Sequence, residues 1–178
     1  MKAEIAHLIQ EFEQFNRFVQ SLEKTEDDYF FKSIKKGKWS PAEIISHITY
    51  WNRYILDDLL PKMKQGANVT SVAFDEINIP AAKYALSGVT KMQLIHEQIE
   101  SRNNLIQVLK EKSDEVFFAE FKLNGEAMDQ YSGYPHTMFH YIRVFVWHDN
   151  HHRAQIEQFF HSHLTLHHDR KELAWIKE

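Results

Sequence analysis

Histidine is the residue whose number and placement carry chemistry in this chain, with twelve among 178 positions. Three pairs fall four residues apart: His136/His140, His148/His152 and His163/His167. On a helix that step puts two imidazoles on one face with Cβ atoms about 6 Å apart, which suits two ligands of one metal ion. Twelve histidines scattered at random over this length would give roughly 0.8 such pairs, so spacing alone is a weak signal. Register separates the three pairs. His163/His167 straddles the expected end of the last helix and reads as surface, and His136/His140 sits beside Pro135, where that helix is only beginning. His148 and His152 fall on an apolar stripe.

His47 falls on another. It lies in the series Ile44, His47/Ile48, Trp51, Tyr54/Ile55, Leu59. Three core-register histidines carry six ring nitrogens, and a buried polar group without a partner costs about 1–3 kcal/mol. One divalent ion shared by His47, His148 and His152 satisfies three of them and leaves three for surrounding acceptors. The competing reading is a single core histidine at His47 and a solvated pair at a helix edge, and residue pattern alone leaves both standing. Other candidates are weaker. Trp51, with Tyr50 and Tyr54 beside it, is a core run or the wall of a pocket, and Asp149 and Arg153 bracket the histidine pair in a register that usually faces water. Asp149 or His151 would be the fourth ligand of a closed, structural site. No Gly-rich phosphate loop, nucleophile elbow or HExxH motif is present.

Four helices are expected to position these residues. The first runs from about Glu4 to Leu22 on a stripe from Ile5 through Phe12 and Phe15 to Val19. The second, about 40–60, starts at Ser40-Pro41-Ala42-Glu43, which reads as a capping serine, proline at the first helical position and glutamate closing a capping box. Glu43 is thereby assigned to capping. The third runs from about Thr90 to Leu109, with Thr90 and Gln93 forming a possible cap and Met92, Ile95, Ile99, Leu105, Ile106 and Leu109 on its apolar side. The fourth, about 137–163, carries Met138, Tyr141/Ile142, Phe145, His148, His152, Gln155/Ile156 and Phe159, and the residues after His163 add at most a short turn. Between helices two and three, residues 62–89 read as a long connection with one or two helical turns. Residues 113–135 form a second one, anchored by Phe117, Phe118 and Phe121. Connections this long are commonly functional.

Composition agrees with one all-α domain over residues 1–178. Five glycines and four prolines are too few for the turns of an all-β protein, and 43% hydrophobic residues suit a folded core. The formal charge of -4 comes without a basic stripe, so nucleic acid is not an expected partner. With no cysteine, a disulfide framework, a thiolate metal site and a cysteine nucleophile are excluded. No uncharged apolar run is long enough for a membrane span and the N-terminus lacks a signal-peptide core, so the expectation is a cytoplasmic protein.

Two motifs carry a family resemblance. Trp39-Ser40-Pro41-x-Glu43-x3-His47 and His148-x3-His152-Arg153-x-Gln155 resemble the DinB-like superfamily, small metal-binding helical bundles that include YfiT-like bacillithiol S-transferases, mycothiol-dependent maleylpyruvate isomerases and ClbS/DfsB-type proteins. The resemblance spans nearly the whole chain in the order and spacing of its helices. It implies a four-helix bundle of DinB/YfiT type with long connections between helices two and three and between three and four. It further implies one divalent ion, zinc or nickel, on His47, His148 and His152, with Gln155 behind them, and a homodimer.

Three neutral imidazoles leave a divalent ion its full charge and at least one open position. Such an ion acidifies a bound water or thiol and polarises an electrophile. The expected activity is metal-dependent S-transfer from a low-molecular-weight thiol to a small molecule, as in a detoxification enzyme, with the electrophile held against Trp51, Tyr54 and the 62–89 connection. The absence of cysteine means that the thiol must be a cosubstrate. The alternatives are a metal-dependent hydrolase and a non-catalytic protein that binds a small molecule or metal.

Overall fold

The computed structural model describes the backbone of residues 1–174 and the side chains of residues 1–163. Four long helices dominate it: α1 (Ala3–Ser21), α3 (Pro41–Tyr54), α5 (Lys91–Lys110) and α7 (Met138–Ala174). Three shorter helices, α2 (Asp27–Phe30), α4 (Phe74–Ala85) and α6 (Asp114–Phe118), and two short strands, β1 (Asn68–Val69) and β2 (Lys122–Leu123), lie between them. Among the described residues, no helix is long and apolar enough to cross a membrane.

The start of α3 is fixed by its cap. Ser40 Oγ accepts the Glu43 amide at 3.2 Å, and Glu43 Oε2 accepts the Ser40 amide at 2.8 Å. Pro41 contributes a φ already suited to the helix. His47 therefore sits nearly two turns in, at a defined angle. Beyond Tyr54 the helix widens into a π turn (Ile55–Leu59) and closes in a 3-10 turn (Leu60–Lys62). Thr90 and Gln93 cap α5 in the same reciprocal manner.

Four expectations are corrected by the structure. The 62–89 connection holds a three-turn helix, α4, rather than one or two turns. Its buried face is made of Ala81 and Ala85, whose small side chains let α4 lie against α3, so it shows no stripe of large aliphatics. Ser46 Oγ bonds Ala81 O at 2.7 Å across that contact. The final helix does not stop near His163 but continues to Ala174, because no glycine or proline interrupts 164–174. The side chain of His167 lies outside the described residues. Met92, placed on the apolar side of α5, is exposed. The 113–135 stretch is more ordered than an irregular connection: β2 pairs in parallel with β1, matching Asn68 with Lys122 and Val69 with Leu123. That pairing ties the two connections together over one end of the bundle, and buried Phe117 and Phe121 anchor them as expected.

α1 packs against α5 and α7, and α3 packs against α4 and α5, while α3 and α7 meet along a narrower seam. The apolar core divides in two. One cluster runs from Ile5 and Phe12 through Trp51 and Leu105 to Val146; the other gathers Phe15, Ile44, Ile48, Ile95 and Ile156. His47, Asn52, Gln98, Ser101, Arg102 and Asp149 are buried polar residues; Asn52 bonds Ser101 at 3.0 Å, Arg102 pairs with Asp149, and the Arg102 guanidinium lies over Phe12 of one cluster and Phe15 of the other.

Candidate metal centre

The α3–α7 seam brings the three core-register histidines together. His47, 101 residues before His148, places Nε2 2.9 Å from Nε2 of His148, which lies 3.1 Å from Nε2 of His152. A tetrahedral ion with nitrogen ligands near 2.05 Å would hold them about 3.3 Å apart, so the observed spacing is within a few tenths of an ångström of a ligand set. His152 Nδ1 lies 2.9 Å from Gln155 Oε1, and the Gln155 amide nitrogen lies 3.1 Å from His151 Nε2. An amide oxygen can only accept, so His152 carries its proton on Nδ1 and turns a bare Nε2 toward the other two rings. His148 Nε2 can donate to one neighbour but not both. Lone pairs therefore face one another across the triangle, an arrangement that a divalent cation relieves. The donor set fits one such ion.

Burial sets the protonation. It lowers the pKa of His47 to about 3 and that of His152 to about 4, with the neighbouring histidines adding to the depression. Both rings are neutral near pH 7, as metal ligands must be. The sign of the linkage follows. The unfolded chain takes up these protons near pH 6.5 and the folded chain only near 4 and 3. The metal-free protein should keep its full stability above about pH 6.5 and lose roughly a few kcal/mol as the pH falls to 4. Urea melts between pH 4 and 8 check this; a flat stability profile would show that the two rings are not held neutral by the fold.

His148 has a different support. Its Nδ1 is buried without a hydrogen-bond partner and lies 3.6 Å from Asp149 Oδ1, which also lacks one. Asp149 was expected to face water; it is buried, and Oδ2 meets Arg102 Nη1 at 2.7 Å as an ion pair whose angles fall outside hydrogen-bond alignment. Arg102, 0% exposed, lies with its guanidinium 3.5 Å from the centre of the Phe12 ring. Burial pulls its pKa down while Asp149 opposes the shift, and the guanidinium stays charged. With one oxygen toward Arg102 and the other toward His148, Asp149 stands behind the His148 ring and is not grouped with the triad. His151 stands apart as well, since it is exposed, stacks on Trp147 and pairs with Gln155. Arg153 bonds Glu157 at 2.8 Å and covers Phe18, away from the triad.

The triad opens into a cavity of about 750 Å3 whose wall is largely aromatic, including Trp39, Trp51, Tyr141, Phe145 and Trp147. Trp51 is a wall residue, fixed by its Nε1 donating to Asn78 Oδ1 at 3.0 Å. Tyr54 is not. It is buried behind Trp51, its hydroxyl accepting the Val72 amide at 2.9 Å, because its position on α3 turns it toward the connection. Phe74 and Asn78 of α4 and Ser71 before it supply the share of the wall expected of residues 62–89.

Residues 7–156, a span that includes all three histidines and Gln155, match the family model described as the DinB superfamily. The chain belongs to the DinB superfamily. Its fold is similar to that of YfiT from Bacillus subtilis, described as "a probable metal-dependent hydrolase with an unusual four-helix bundle topology". That match has a TM-score of 0.65 at 18% identity and covers 89% of this chain and 87% of the other. No curated protein matches. The two motifs of the resemblance include the triad and Gln155, but the parts that Arg102, Asp149 and Trp39 play around the candidate site were not read from the sequence. Arg102 and Asp149 have a signal in principle, one cation and one anion each on the buried side of its helix. Trp39 opens the first motif, but nothing in the sequence placed its ring against the site; its centre lies 4.9 Å from that of His47.

Proposed function

We propose that this DinB-superfamily protein is a metal-dependent enzyme that transfers a thiolate from a low-molecular-weight thiol to an electrophilic small molecule, with zinc or nickel on His47, His148 and His152. The observation that carries the reading is the triad at the floor of a cavity large enough for a drug-sized molecule. A divalent ion held there supplies positive charge that acidifies a bound thiol or water.

Besides the triad, the groups in the lining that could take a proton from water are two imidazoles, His136 and His140, and one carboxylate. Among the described residues, the only carboxylate lining the cavity is Asp129. Its Oδ1 accepts the Ser132 and Tyr131 amides at 2.6 and 3.1 Å, and those bonds hold its pKa down, which makes it a poor proton acceptor. A thiol of pKa near 8.5 needs little help to lose its proton, whereas water needs a great deal. Gln155 keeps the His152 proton on Nδ1, and Trp39, Trp51 and Phe145 exclude water around the triad. Tyr141, its pKa raised by burial, remains a neutral hydroxyl that can donate to a substrate oxygen. Hydrolysis is the second reading, favoured by the fold shared with YfiT.

The test supplies bacillithiol or another small thiol with a chloro-arene or epoxide. A thiol of pKa near 8.5 is about 3% thiolate at pH 7, so complete deprotonation has a ceiling of about thirtyfold from this effect alone. Metal-loaded protein should exceed both the chelated protein and His152→Ala by roughly tenfold. Equal rates in all three would remove the thiol reading, and turnover of an ester or amide panel by the loaded protein alone would replace it with hydrolysis.

A further inference from the structure

The cavity above the triad carries an unmatched cation. Arg143 lines it, and among the described residues no other Lys or Arg does. Arg143 is exposed and has no ion pair, hydrogen bond or aromatic partner among the described residues; Arg53, Arg102 and Arg153 are paired, and Arg17, which also lacks a partner, does not line the cavity. Among the described residues the one carboxylate in the wall, Asp129, is turned onto the amides of its own loop. Arg143 precedes His148 by five positions on α7, an axial offset of about 7.5 Å.

The same cavity exposes aromatic surface that a protein ordinarily hides. Phe74, Tyr131, Tyr134 and Trp147 all line the cavity and are 73%, 99%, 53% and 67% exposed. Exposed apolar patches rimmed by polar groups mark binding sites. Aromatic rings offer stacking faces, and a guanidinium offers a planar fork that carboxylate, sulfonate or phosphate oxygens fit.

We propose that the molecule this cavity takes is an aromatic anion, whose ring system lies on the aromatic wall and whose acidic group pairs with Arg143, about one and a half helical turns from the triad. The inference rests on the reading of the cavity as the substrate site and deepens it by naming the class of ligand. A neutral aromatic of the same size would fill the same wall but leave Arg143 unmatched. An aliphatic anion would pair with Arg143 but forgo the wall. Arg143 is then the residue that selects for charge.

A matched pair of fluorescent probes tests this: 1-anilinonaphthalene-8-sulfonate and N-phenyl-1-naphthylamine, which share a ring system and differ by the sulfonate. Both are titrated into the wild-type protein, Arg143→Gln and Arg143→Lys, each chelated and zinc-loaded. Wild type should bind the sulfonate probe about tenfold more tightly than Arg143→Gln does, with Arg143→Lys between them. All three should bind the neutral probe equally, which also certifies their fold. A Trp51→Ala variant should weaken both probes, placing them in this cavity. Equal sulfonate affinity in wild type and Arg143→Gln, or equal loss of both probes in Arg143→Gln, overturns the proposal. Because the comparison is read on chelated protein, it stands or falls separately from the metal. Tight zinc binding without charge discrimination would refute the aromatic anion alone, and charge discrimination without zinc binding would refute the metal reading alone.

Discussion

Replacing His148 with alanine is expected to weaken zinc or nickel binding by about a hundredfold or more. Structural zinc sites with four ligands are worth about 10–16 kcal/mol, or roughly 3 kcal/mol per ligand. Removal of His148 should be at least that costly, because its Nε2 touches both of the other ligand nitrogens and leaves behind two rings on different helices. His47→Ala should behave alike, since the remaining pair on α7 would hold an ion without α3. Gln155→Ala should cost about tenfold, the usual effect of losing an acceptor behind a ligand. Competition against a chromophoric chelator measures all three. Stoichiometric metal retained by both His47→Ala and His148→Ala would mean that the ion sits elsewhere or that there is none.

The largest effect on stability is expected at Arg102. Replacing it with methionine leaves the Asp149 carboxylate buried beside no counter-charge, and breaking a buried pair from one side costs about 3–5 kcal/mol. For a chain of this size the melting temperature should fall by about 10 °C. The double replacement Arg102→Met with Asp149→Leu removes both charges and should recover most of that loss. Metal affinity should stay low in the double variant, because the His148 ring then has no carboxylate 3.6 Å from Nδ1. A double variant with both stability and affinity restored would make the pair a packing feature with no bearing on the site. A single variant as stable as wild type would mean that the carboxylate is not buried in solution.

What the sequence disclosed, and what it hid, follows from how each feature is written in the chain. The four long helices carry large apolar residues at three- and four-residue steps and explicit caps at Ser40 and Thr90, both signals that act locally. The triad was legible because imidazoles interrupt those stripes, so the anomaly and the site coincide at His47, His148 and His152. α4 was under-read because its buried face is alanine, and a stripe of Ala81 and Ala85 looks like no stripe at all. Tyr54 was misplaced because period alone says that a residue is inward-facing, not whether it fronts a cavity or backs onto a neighbour such as Val72. Asp149 was misjudged for a related reason. A charge beside a histidine pair reads as solvated unless its partner is known, and Arg102 lies 47 positions away on another helix.

The buried Arg102–Asp149 pair also constrains how the helices can be seated. α7 is long, and its apolar side chains recur every three or four residues, so sliding it by one turn along the bundle would swap one greasy contact for another at little cost. Asp149 makes that slippage expensive: a step of one turn, about 5.4 Å, would carry it past Arg102 and set both charges against hydrocarbon. The same step would pull His148 and His152 out of reach of His47. One contact between α5 and α7 thus selects the alignment in which the three candidate imidazoles meet, so a molecule that has not settled into that alignment brings at most two of them together.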